Sequence, residues 1–65
     1  MYISKSTAKK ILREAGAIRV SDEALAAFYE NINKLAYEIA SKSVSLAKHA
    51  KRKTLEPSDV KLASS

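Results

Sequence analysis

The sequence predicts an all-α fold of short helix, loop, long helix, loop, short helix, and three observations carry that prediction. The 65 residues hold one Gly and one Pro, the apolar residues recur at three- and four-residue spacings, and no run alternates Val, Ile or Thr with polar residues. There is no repeat, linker or low-complexity stretch, so 1–65 reads as a single domain.

The first helix is expected from about Ser4 or Thr7 to Ala15, because Ala8, Ile11, Leu12 and Ala15 fall at i, i+3, i+4 and i+7. Gly16 follows as the residue that enters the left-handed region without a Cβ penalty. After Ala17–Val20, Ser21 is a good N-cap, and Asp22 and Glu23 complement the dipole of a new helix. Nothing stops that helix until Lys51, so it should run about 28 residues, about 42 Å at 1.5 Å per residue. Lys48 and His49 close it, Ala50–Thr54 form a loop, and Pro57, preset for a first helical turn, opens a last helix to about Ala63.

Along the long helix Leu25, Phe28, Ile32, Leu35, Ile39 and Leu46 make an apolar stripe, widened by Ala24, Ala36, Ala40, Val44 and Ala47. Two short flanking helices, bringing mainly Ile11, Leu12, Val60 and Leu62, cannot cover it. A chain this short buries only about 60 % of its unfolded surface, and with no Cys and one His it has no disulfide or zinc cluster to compensate. A second copy of the long helix can cover the stripe at ~25 cal/mol per Å² of apolar area. The expectation is a homodimer whose folding and association are inseparable, with Leu25, Phe28, Ile32, Leu35 and Ile39 as the dimer core.

Twelve Lys plus Arg against seven Asp plus Glu give a net charge of +5, which suits a polyanionic partner. The charge is unevenly placed. Lys5, Lys9, Lys10, Arg13 and Arg19 face only Glu14 before residue 20, and Lys48, Lys51, Arg52 and Lys53 form a second cluster. If two long helices cross antiparallel, the first loop of one chain meets the second loop of the other, giving two basic edges separated by tens of ångströms, comparable to the ~34 Å of a DNA turn. Such spacing favours phosphate contacts on one DNA face and a bend. Helix N-termini at Ser21 and near Pro57 are expected to turn N–H groups outward, which also suits phosphate. A charge run can equally be a plain solvated face. Residues 1–10 lack the apolar region of a secretory signal and no stretch approaches the roughly 18 apolar residues of a membrane span, so a cytoplasmic, nucleoid-associated protein without membrane contact is expected.

The segments Ala15-Gly16-Ala17-Ile18-Arg19-Val20-Ser21-Asp22, Ile39-Ala40-Ser41, Leu46-Ala47-Lys48-His49-Ala50-Lys51-Arg52-Lys53-Thr54 and Asp59-Val60-Lys61-Leu62-Ala63 resemble the archaeal histones, over nearly the whole chain from about Ala8 to Ala63. The resemblance implies a histone fold forming a handshake dimer that binds, bends and compacts duplex DNA without reading sequence. It implies that Arg19 points into the minor groove, that Lys53 and Thr54 bind phosphate, and that Lys10 and Arg13 face DNA. Lys9 and Lys51 join that DNA-binding set by their place in the basic clusters. It also implies that Arg52 and Asp59 brace the second loop, the alternative for Arg52 being direct phosphate contact. His49 is either a solvated or capping residue or, as the family suggests, joins Leu46, Asp59 and Leu62 in a contact between dimers, with His49 paired to a neighbour's Asp59. On that reading dimers associate into tetramers or polymers on DNA, and paralogous histones are further partners. Gly16 is a helix cap and, in the family, also lets successive superhelical turns approach.

Departures from the family pattern carry their own expectations. Lys51 stands where Gly is usual, which adds charge but costs roughly 1–2 kcal/mol if the backbone there still needs positive φ. Lys10 replaces the more usual Arg and gives up bidentate phosphate geometry. No proline precedes the first helix, and the chain ends at Ala63-Ser64-Ser65, which shortens the surface beside His49 and Leu62.

Rival classes fare worse. An enzyme would need a pocketed acid–base or nucleophile set, and no catalytic, metal or cofactor site is expected. A helix-turn-helix regulator needs a short recognition helix with base-reading residues, and the helix after Gly16 is long and aliphatic. A lipid-surface helix would place Trp or Phe at the boundary, and there is no Trp and a single Phe28 inside the stripe. A histone-fold subunit pairing with a non-identical chain in a transcription-factor-like complex is the alternative that remains.

Overall fold

A computed structural model describes residues 2–65; Met1, the first residue of the expected 1–65 domain, lies outside the described residues. Three helices follow in order, α1 (Lys5–Glu14), α2 (Asp22–His49) and α3 (Pro57–Ala63), and no strand occurs among the described residues. Each boundary has a local cause. Ser4, extended at φ −73 and ψ 160, accepts the Thr7 N–H on its hydroxyl at 3.2 Å, and Ser21 accepts the Ala24 N–H at 3.1 Å, so α1 and α2 start on side-chain caps. Pro57 opens α3.

Both α1 and α2 end in a Schellman pair. Past α1, the Gly16 N–H reaches the Arg13 carbonyl and the Ala17 N–H the Leu12 carbonyl, both at 3.0 Å, with Gly16 at φ 113. Past α2, the Lys51 N–H reaches the Lys48 carbonyl and the Arg52 N–H the Ala47 carbonyl, both at 2.9 Å, with Lys51 at φ 60. The second loop therefore turns on a left-handed corner at Lys51, a residue with a Cβ.

The chain divides into two units, one ending at Lys34 and one beginning at Leu35. In the first, Lys5 at the start of α1 sits over the Tyr29 ring of α2, Ala8 is fully buried and Leu12 is half-buried. In the second, Ala47 and Ser43 are enclosed, and the Ser43 hydroxyl donates to the Ile39 carbonyl one turn back at 2.7 Å. The apolar residues enclosed in the single chain are Ala8 and Ala47. Leu25, Phe28, Ile32 and Ile39 are only half-buried and Leu35 is 53 % exposed. Within the chain, these large side chains have no core around them. No described helix is long and apolar enough to cross a membrane.

Candidate nucleic-acid interface

The cations occupy three places. On α1, Lys9, Lys10 and Arg13 share one shallow surface hollow with Ser6 and Glu14, because positions three and four apart fall on one helical face. Lys10 and Arg13 are exposed, while Lys9 is half-buried along its stem. The first loop carries Arg19, exposed, directly after Ile18, which is 94 % exposed. The second loop carries Lys51 and Lys53, both exposed, with Thr54 exposed beside them.

Arg52 is different. Its guanidinium grips Asp59 with two bonds, Nη2 to Oδ1 at 2.7 Å and Nη1 to Oδ2 at 2.9 Å, and Nη1 also donates to the Thr54 carbonyl at 3.1 Å. Asp59 is 5 % exposed and also accepts the Glu56 N–H at 2.9 Å. One carboxylate thus ties the end of the second loop to the first turn of α3. The Arg52 hydrogen bonds, reinforced by that backbone N–H, lower the Asp59 carboxyl pKa to about 2. The N–H of Glu56, the cap residue of α3, is thus taken up by a carboxylate of its own chain. The second loop has Arg52 engaged within the chain and Lys51 and Lys53 exposed.

His49 is exposed at the end of α2 and, with Lys42, Ser45, Leu46, Leu62, Ala63 and Ser65, lines an open surface hollow; Leu62 is 64 % exposed. Asp59, by contrast, is enclosed against Arg52.

Two enclosed polar side chains escaped the sequence reading. Asn33 and Ser43 sit between apolar positions of α2, and such a placement was the available signal. Ser43 needs only its own helix, but Asn33 bonds to a backbone 30 positions away, which no local pattern reveals.

A short helix, a long helix and a short helix joined by cation-bearing loops define the histone fold, a class of DNA-binding proteins. The chain belongs to the family described as histone-like transcription factor (CBF/NF-Y) and archaeal histone, whose model matches residues 1–63. It is 57 % identical over 54 residues to the probable archaeal histone 3 of Methanocaldococcus jannaschii, covering 83 % of this chain and 81 % of that protein. It is 43 % identical over 54 residues, with the same coverage, to one of the subunits of the archaeal histone HAN1 from Thermococcus zilligii.

Proposed function

We propose that the protein packages DNA as a homodimer, binding duplex through phosphates and the minor groove without sequence preference and bending it. The observation that carries this reading is a division of labour along the chain. The large apolar residues of α2 are left half-covered or exposed, while Lys10, Arg13, Arg19, Lys51, Lys53 and Thr54 are exposed on α1 and the two loops.

Two α2 stripes laid against each other would give each Leu, Ile or Phe up to ~1.5–3 kcal/mol of burial that the single chain forgoes. An antiparallel crossing would then bring Arg19 of one protomer beside Lys53 and Thr54 of the other. Arg19, planar and weakly hydrated, suits a narrow minor groove, and the lysines and the Thr54 hydroxyl suit phosphate oxygens. Lys9 and Lys51 add charge to the same surfaces. On this reading the protein is chromosome-associated, and Leu46, His49, Asp59 and Leu62 form the contact between dimers, with His49 paired to a neighbour's Asp59.

Binding to random-sequence duplex should weaken with salt at a log–log slope of about −5, corresponding to ~6 phosphates per dimer. A flat salt response, or a strong preference for one sequence at fixed salt, would overturn the reading. A second reading, in which the chain pairs with a non-identical histone-fold chain, is favoured by one observation: the Thermococcus zilligii relative is named as one of the subunits of its histone. If the purified chain stays monomeric until such a partner is added, the second reading is selected.

A further inference from the structure

The most enclosed polar side chain in the protein belongs to none of the DNA-facing surfaces. Asn33 is 0 % exposed, and its amide meets the backbone of Ile3 on both sides: Oδ1 accepts the Ile3 N–H at 2.7 Å, and Nδ2 donates to the Ile3 carbonyl at 3.2 Å. Nδ2 also donates to the Tyr29 carbonyl one turn back at 2.7 Å. An amide presents an acceptor and two donors side by side, so it pairs with a peptide as a neighbouring strand would. A Leu at 33 would favour the helix more and bury as well. What the amide alone adds is the grip on Ile3.

That grip lies at a useful place. Ile3 is followed by Ser4, the cap from which α1 starts, and then by Lys5, whose ammonium sits 5.7 Å from the centre of the Tyr29 ring. The chain entering α1 is therefore held to one stretch of α2, Tyr29–Asn33, by two hydrogen bonds and a cation–π contact, while the bond from Asn33 to the Tyr29 carbonyl fixes the amide on its own helix. Within the single chain, apolar burial on α1 is limited. Of its ten residues only Ala8 is fully buried, Leu12 is half-buried and Ile11 is exposed.

We propose that Asn33 is a positioning residue for DNA binding: by clamping Ile3 to α2 it fixes where α1 begins and so where Lys9, Lys10 and Arg13 are presented. The proposal rests on the DNA-binding reading above and extends it to a residue that touches no DNA. Removing the clamp lets the N-terminal end of α1 fray, and cations on a fraying helix bind phosphate at a greater cost in ordering.

Two variants test it. Asn33→Leu removes the amide while keeping the helix and the buried volume. Ile3→Pro leaves α2 unaltered and withdraws the N–H that Oδ1 accepts, so it decides the matter should Asn33→Leu fail to fold. In whichever variants retain the parent's mass in solution and helical circular dichroism, hydrogen exchange of the first α1 turn should accelerate. The salt slope of duplex binding should shrink by about 2, the equivalent of ~2 phosphates lost per dimer. A slope equal to the parent's in the folded variants would overturn the proposal, leaving Asn33 a packing residue. A flat response of the parent itself would sink the DNA reading instead, and it is recognisable because it precedes any substitution.

Discussion

The two helix C-termini that lead into the loops are built on the same pair of backbone bonds and differ in the residue that turns the corner. After α1 the corner is Gly16 at φ 113, and a Cβ there would meet nothing within 4 Å. After α2 it is Lys51 at φ 60, where an L side chain costs roughly 1–2 kcal/mol relative to right-handed backbone. The first loop then runs to Ser21 with Arg19 and Ile18 exposed. The second is drawn onto α3 by the Arg52–Asp59 pair. Among the described residues no ion pair braces the loop with the unstrained corner, and one braces the loop with the strained corner. A braced loop can hold a residue in a costly conformation, and here that residue adds a cation to the proposed DNA surface.

Breaking the brace should have the largest effect. Arg52→Ala removes both bonds to Asp59 and the bond to the Thr54 carbonyl, leaving an enclosed carboxylate with a single backbone donor. Its melting temperature should fall further than that of either corner variant below. The same brace should respond to acid in a defined direction. Asp59 titrates near 2 when folded, against about 3.9 for a free aspartate, so its contribution is complete above roughly pH 4 and is lost as pH falls toward 2. Asp59→Asn should lower stability at neutral pH and flatten the dependence in that window, which chemical denaturation as a function of pH reads directly.

Gly16→Ala tests the first corner. With open space around the site the cost is backbone strain alone, about 1–2 kcal/mol per chain by thermal denaturation. A neutral result would mean that the first loop relaxes, unlike the second. Lys51→Gly should give the smallest change, of opposite sign. Relief of strain exceeds the added flexibility of Gly, for a gain of about 0.5–1 kcal/mol per chain. Stability should rise while duplex binding loses about 2 from its salt slope, one phosphate per protomer. A gain in stability with an unchanged slope would show that Lys51 contributes nothing to DNA.

Most helix boundaries were legible because they are written in residues that act locally: Ser21 as a cap, Gly16 as a corner, Pro57 as a first turn. The start of α1, open between Ser4 and Thr7 in the sequence, is set by the Ser4 hydroxyl accepting the Thr7 N–H. The long α2 was legible from its periodic apolar residues and the lack of any breaker between Asp22 and His49. What depends on distant partners was not. Asn33 reads as an ordinary polar residue until Ile3 is seen against it. The bond from the Glu56 N–H to Asp59 is likewise invisible until the two are seen together. Lys51 lay between these cases, since sequence shows the missing Gly and only the backbone shows that the corner persists.

Beneath both loops lies the claim that α2 is completed by a second copy of itself. Leu35, 53 % exposed in the middle of the stripe, is the residue most at odds with a self-sufficient chain. Sedimentation equilibrium of the purified protein, with thermal melts over a hundredfold range of concentration, tests this most directly. A particle of twice the 7.1 kDa chain mass is expected, with a melting temperature that rises with concentration. A folded 7.1 kDa monomer whose melting temperature ignores concentration would contradict the claim.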